Sequence, residues 1–386
     1  MLPPRKQTTT NNFSNFNMSK QKLCYIGNLA PRYREAIFQA IDKEYDCDWC
    51  FGDLKTDIKE MDLTTLSKVV KYPICGTPAT LNWKKKTIKL LFCKKYDVFL
   101  ILAESRCLSD YLFIALSRIL RKKVYIWSHG WYGKESKFES MLKKWQFKHA
   151  DGVFVYSNYA RELMIKEGIQ SEKIFTIHNS LHYDQQKALR ESIVPSRIYT
   201  DHFSNDNPTI IFIGRLTKVK KLDMVIDAIC KLKSQAKNYN VVFVGDGVER
   251  HNLEEKVKSL GLEQNVWFYG ACYDEKQNAE LIFNADLCVS PGNVGLTAMH
   301  ALVFGCPVIT HNCFKWQMPE FEAIQPGVTG DFFEMDNVNA LSVSISKWFA
   351  EKSDKRDEVR QACFNEIDTQ WNPYFQMDVI KKNLKF

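Results

Sequence analysis

"SPGNVGLTAMHALVFGCPVIT" (residues 290–310) is the stretch on which the fold class turns. It leaves a strand at Ser290, crosses a loop holding Gly292 and Gly295, and forms a helix from Thr297 to Phe304. The helix stops at Gly305, before "CPVIT" starts another apolar strand. The same alternation extends in both directions. "PTIIFIGRL", "VVFVGDG", "VWFYGA" and "DLCVSPG" precede it, and "KLCYIGNL", "DVFLILAES", "KVYIWSHG", "GVFVYS" and "KIFTIHNS" fill the first half. Short apolar strands separated by helix-length amphipathic segments predict parallel sheets covered on both faces. The pattern restarts after a polar stretch around residues 183–207. Two Rossmann-like α/β domains are therefore expected, over 21–190 and 208–367, joined by a linker at 191–207. Their strand ends would face each other across a cleft, because ligands of open α/β sheets bind beyond the carboxyl ends of the strands.

A chain of 386 residues with 45% hydrophobic and 25% charged residues is long enough for two full cores. The most apolar run, "LLFCKKYDVFLILAES", is broken by Lys94, Lys95 and Asp97, so no membrane span is predicted. The polar residues 1–20 lack the apolar stretch of a secretory signal and read as a disordered leader. Twelve cysteines without a secretory signal imply a cytoplasmic, reducing setting and buried thiols. Cys47 and Cys50 form a close pair, but no second pair completes a metal tetrad. Asp46-Cys47-Asp48 has the spacing of a metal-binding DxD, yet it lies in an early strand and reads as strand alternation. No metal site is expected.

Charge is uneven: residues 1–200 carry 33 Lys/Arg against 20 Asp/Glu, whereas the remainder is net acidic. "WKKKTIKLLFCKK" (83–95) and "MLKKWQFK" (141–148) mix lysines with Trp, Phe and Leu. Such clusters suit peripheral contact with an anionic membrane, and equally a solvated helix face. No nucleic-acid motif accompanies the charge, so nucleic-acid binding is not expected.

Three strand ends carry the chemistry. "IIFIGRLTKVKK" places Gly214, Arg215 and Lys220 where a guanidinium and an ammonium can clamp a diphosphate. "VVFVGDGVERH" puts Gly245 and Gly247 at a tight turn, but Arg250 takes the third glycine position of a dinucleotide fingerprint. Gly270 ends "VWFYG". In the opening stretch, the loop Gly292, Asn293, Val294, Gly295 and Leu296 leads to Thr297 at a helix amino end. Free amides, the helix dipole and the Thr297 hydroxyl all suit phosphate there.

These segments resemble the retaining GT-B fold glycosyltransferases of family 4, over roughly residues 22–384. The resemblance implies that Arg215 and Lys220 hold the diphosphate of a nucleotide-sugar donor, with a UDP-sugar favoured over a GDP-sugar. "IWSHGWYGK" resembles the strand end whose histidine, here His129, lies by the reacting sugar. "GNLAPRYREAIFQAI" resembles the opening loop near the acceptor, with Tyr33 and Arg34 in the matching positions. The tail at about 368–386 resembles a closing helix that packs back on the first domain. One departure is plain: the family's E-x7-E glutamates fall here on Gly292 and His300. The resemblance then leaves His300 for the ribose, Asn293 or the loop amides for the sugar, and Glu322 as the acid preceding a G-x-x-G segment.

The expected activity is metal-independent, retaining transfer of a sugar to a hydroxyl of a glycan or lipid-linked glycan, in bacterial surface polysaccharide synthesis at the inner face of the cytoplasmic membrane. A nucleotide-sugar 2-epimerase on the same fold, or a donor-binding pseudoenzyme, is the alternative.

Overall fold

The computed structural model describes residues 20–54, 58–77 and 80–386; the leader expected over 1–20 lies, except for Lys20, outside the described residues. In the first half the strands are β1 (Lys22–Gly27), β2 (Asp46–Gly52), β3 (Val69–Tyr72), β4 (Ile74–Cys75), β5 (Trp83–Lys84), β6 (Val98–Ile101), β7 (Lys123–Ser128), β8 (Gly152–Val155) and β9 (Ile174–Thr176). All but the small antiparallel pair β4 and β5 form one parallel sheet in the order β3-β2-β1-β6-β7-β8-β9. The second half contributes β10 (Thr209–Ile213), β11 (Asn240–Val244), β12 (Val266–Gly270), β13 (Leu287–Ser290), β14 (Val308–His311) and β15 (Gly330–Phe333), again parallel, in the order β12-β11-β10-β13-β14-β15. This is the GT-B arrangement of two Rossmann-like units. Strand order reverses between β1 and β6 and between β10 and β13, and a crevice opens at each reversal.

Burial explains why these segments are strands. β6, β8, β10, β11, β13 and β14 are buried along their whole length, as sheet centres covered on both faces require. In β2 the alternation is sharper. Cys47, Trp49 and Phe51 pack with Tyr25 and Phe38 on one face, while Cys50 packs with Cys24 and Phe99 on the other. Cys47 and Cys50 thus point to opposite faces and cannot form a shared site. Asp46 and Asp48 sit at the amino end of β2, paired with Lys22, Lys68 and Lys95. That edge faces away from the strand carboxyl ends.

Two segments tie the units together. The helix Tyr183–Ser192 already packs on the second unit, where Gln186 donates to Glu275 (2.6 Å) and Arg190 pairs with Asp368. The region expected as linker then forms a further helix, Ile198–Phe203. At the other end, the helix Arg356–Gln370 packs on the helix Leu296–Val303, and Pro373–Asn383 crosses to the first unit. There Met377, Ile380 and Leu384 join the core around Trp49 and Trp127, and Lys381 pairs with Glu44 at 2.6 Å.

One expected surface lysine is internal. Lys84 is 1% exposed, and its ammonium donates to Leu102 O (2.6 Å) and pairs with Asp110 (3.0 Å). Lys85 and Lys86 remain exposed.

Candidate active site

On the second unit, the site begins where β10 and β13 end side by side. The Gly292 amide donates to Lys220 O at 3.0 Å, locking the two loops together. A Cβ on residue 292 would stand 1.9 Å from Val219 O, so only glycine fits. This contact brings Lys220 Nζ over the loop, donating to Asn293 O (2.6 Å) and Asn293 Oδ1 (2.9 Å). Burial pulls its pKa down to about 8, with Arg215 adding to the effect and Glu320 opposing it. Arg215 itself is exposed and makes no ion pair among the described residues.

The loop runs on into the helix Leu296–Val303, whose N-cap Gly295 has φ +54. Gln317 Oε1 takes the Val294 amide at 2.8 Å. The amides of Gly295, Leu296 and Thr297 stand at the start of this helix, where no preceding turn can accept from them, at the positive end of the helix dipole. The Thr297 hydroxyl, expected to suit phosphate, donates to Ile213 O at 2.8 Å and fastens the helix to β10. Gly214, Gly245 and Gly270 end adjacent strands and are stacked through backbone bonds, Gly214 N to Val244 O (2.9 Å) and Gly245 N to Gly270 O (2.8 Å). A Cβ on Gly245 would lie 1.9 Å from Gly214 O, and one on Gly247 would lie 2.3 Å from Leu216 O. These glycines draw the three turns into one close-packed floor.

His300 lies one turn into the helix, near Glu275 and His182, where the chain crosses between units. Burial lowers its pKa, and its Nδ1 has no partner.

Across the cleft, Arg34 ends a short turn, Arg32–Arg34, that leads from β1 into the helix Glu35–Glu44. It is 5% exposed, lies 5.3–5.7 Å from the rings of Tyr33, Trp127 and Tyr156, and donates to the Tyr156 hydroxyl. Tyr33 packs against the core of the second unit. His129 follows β7, its ring 4.7 Å from Tyr156. Burial, then Arg34 and Lys143, push its pKa down to about 3, so it is neutral at physiological pH.

A model described as glycosyl transferases group 1 matches residues 200–365, and one described as Glycosyltransferase Family 4 matches residues 49–185. The chain belongs to the family 4, group 1 glycosyltransferases. A 41.2 kDa protein of the cps region of Klebsiella pneumoniae is 26% identical over 72% of this chain and 69% of that one. The O-antigen biosynthesis glycosyltransferase WclY of Escherichia coli is 36% identical over 102 residues, 26% of this chain and 27% of WclY. Among solved structures, Anabaena Alr3699/HepE in complex with UDP superposes with a TM-score of 0.70 at 17% identity, over 94% of this chain and 99% of that one.

Two acids of this glycosyltransferase reverse the expected emphasis. Glu322 does not face the donor loops. Its carboxylate accepts from the amides of Asn158 (2.8 Å) and Tyr159, capping the helix Asn158–Lys166 of the first unit across the boundary. Glu320, two residues earlier, is the acid at the cleft floor. It is 2% exposed, accepts from Asn179 Nδ2 at 2.8 Å, and keeps Oε2 without a partner, with Lys220 and Arg34 the cations nearest it. The sequence signal was the pair itself: two acids two apart in an apolar run, with nothing local to tell which one turns inward.

Proposed function

We propose that this glycosyltransferase moves a sugar from a nucleotide-diphosphate sugar, a UDP-sugar by preference, to a hydroxyl of a glycan or lipid-linked glycan acceptor, with retention and without a metal ion. The observation that carries the reading is Lys220: a half-buried ammonium fixed on the 292–294 loop, beside the unpaired Arg215 and the open amides at 295–297. All three are positive and converge at the strand-order reversal, where a diphosphate's charge would be balanced. In the transition state they would stabilise the negative charge growing on the leaving diphosphate. The acceptor hydroxyl would attack on the face the diphosphate leaves, passing its proton to a phosphate oxygen. Neutral His129 would position the sugar by hydrogen bonds, and His300 would contact the ribose where the family carries a glutamate. Gly214, Gly245, Gly247 and Gly270 would shape the nucleotide floor.

Surface polysaccharide synthesis is the proposed setting, supported by the cps region and O-antigen roles named for two relatives. No helix among the described residues is long and apolar enough to cross a membrane. Contact with anionic lipid at the inner face of the cytoplasmic membrane would instead use the exposed Lys85 and Lys86 beside the exposed Leu81, Trp83 and Phe92.

Single-turnover assays with UDP-sugars test the reading. Arg215→Ala and Lys220→Ala should each slow transfer by about tenfold or more, the worth of a charge-assisted hydrogen bond. Normal rates in both would refute the clamp. Conversion of the donor sugar without acceptor would instead reveal an epimerase.

A further inference from the structure

Two cations at the cleft floor, one from each unit, share a single buried acid. Lys220 Nζ donates only to neutral oxygens, those of Asn293 and Val294, and no carboxylate lies within ion-pair distance of it among the described residues. Arg34 has the hydroxyls of Tyr25 and Tyr156 against it. Glu320 is the acid that faces both cations. It is carried by the short turn Pro319–Ala323, which packs on the helix Leu296–Val303. Met318, just before that turn, and Lys220 Nζ approach the same glycine: a Cβ on Gly295 would meet Met318 Cγ at 3.6 Å and Lys220 Nζ at 4.0 Å.

The acid is held in place from the first unit. Its Oε1 accepts from Asn179 Nδ2 at 2.8 Å, and Asn179 Oδ1 accepts from the Ser180 amide at 3.0 Å, so Asn179 turns its amino group to the acid. The Ser180 hydroxyl donates to Gln376 Oε1 (2.6 Å), and Gln376 Nε2 donates to His178 O (3.0 Å). All five residues are buried. They join the turn of the second unit to the segment that leaves the first sheet after β9 and to the helix Pro373–Asn383 that returns to it. Glu320 Oε2 alone is left without a hydrogen-bond partner. The remaining titratable groups facing this cluster bring no second negative charge. Burial raises the Tyr132 and Tyr156 phenols and pushes the Cys288 thiol up to about 12, while Arg215 adds a positive charge beside Lys220.

We infer that Glu320 is a positioning residue of the donor clamp: its carboxylate is the counter-charge shared by Lys220 and Arg34, and it keeps the Lys220 ammonium charged until a diphosphate arrives. The consequence for the donor rests on the proposed function, in which Lys220 meets the phosphates. Without the carboxylate, Lys220, Arg215 and Arg34 would have no acid among them, and a half-buried ammonium in that setting gives up its proton more readily.

Glu320→Gln tests this, because it keeps the side-chain size and the acceptor for Asn179 while removing the charge. The ionisation of Lys220 is read in the ligand-free full chain by NMR of 13C-labelled lysine, its resonance identified by its loss in Lys220→Ala. The unaltered protein should titrate at about 8. Glu320→Gln should titrate about one pH unit lower, and Glu320→Asp, which keeps the charge, should move less. In the unaltered protein the same resonance should show a second inflection at acid pH, where Glu320 takes up its proton; its absence would overturn the inference without recourse to a variant. So would an unchanged Lys220 midpoint in folded Glu320→Gln, the outcome expected if the acid serves packing alone. UDP titrations between pH 6 and 9.5 should show the same displacement of the midpoint. The midpoint is the diagnostic quantity, because removing an acid beside the phosphates favours UDP at every pH. A Lys220 midpoint that moves without any change in the UDP profile would refute the donor reading and leave the counter-charge in place.

Discussion

Lys220 and His129 show how the fold sets charge at single residues. Lys220 has a pKa lowered to about 8, so a donor that needs the ammonium should bind more weakly as pH rises above 8, approaching tenfold per pH unit. UDP titrations between pH 7 and 9.5 check this; a flat profile would mean that Lys220 does not meet the phosphates. The sign for folding is opposite. Between about 8 and the ordinary 10.5 the unfolded chain holds more protons at this lysine, so the stability it governs rises with pH across that window. His129, held near 3, should contribute no ionisation to the rate profile above about pH 5. His300→Ala should weaken donor binding by about 1 kcal/mol if its ring bonds to the ribose. Unchanged UDP affinity would return the histidine to a packing role. These shifts were not legible in the sequence. The motif spacing marked Arg215, Lys220, His129 and His300, but a pKa belongs to the tertiary surroundings. Lys84 is the clearest case, because its partner Asp110 lies on another element and no local pattern announces its burial.

Most elements were legible because their strands are apolar runs, buried along most of their length in all but β9 and β12. β1, β6 to β9 and β10 to β14 are apolar runs, and parallel sheets produce such runs. β3 and β15 escaped for the converse reason: β3 has Val70 and Lys71 exposed at a sheet edge, and β15 is the four residues GDFF with its middle half-buried. Loop contacts were legible only in part. Gly292 reads from the sequence as a lost glutamate, whereas the packing makes it a residue that cannot be replaced. Gly292→Glu should therefore not restore the family's motif. It should cost about 2 kcal/mol or more in urea unfolding and weaken UDP binding, since Val219 O stands where the Cβ would go. A stable variant with tighter UDP binding would contradict this packing. Glu322→Ala should cost about 1 kcal/mol through loss of the cap on Asn158–Lys166, while UDP affinity stays within about twofold.

At the scale of the whole molecule, two covered parallel sheets and a polar break between them were enough to anticipate two Rossmann-like domains facing a cleft, and the family resemblance implied their GT-B arrangement. The return of Pro373–Asn383 to the first unit was implied by the family resemblance and not by any local pattern, whereas the placement of the helix Tyr183–Ser192 on the second unit was not anticipated, because its apolar face finds its partner across the boundary rather than in neighbouring sequence. In the proposed function, charge from β10, the 292–294 loop and the helix Leu296–Val303 converges on a donor diphosphate. Calorimetric titration of UDP into the unaltered chain and into Lys220→Ala at pH 7 puts this convergence to the test. Clear binding to the first and at least about tenfold weaker binding to the second are expected. Equal affinities, with both proteins folded, would contradict it.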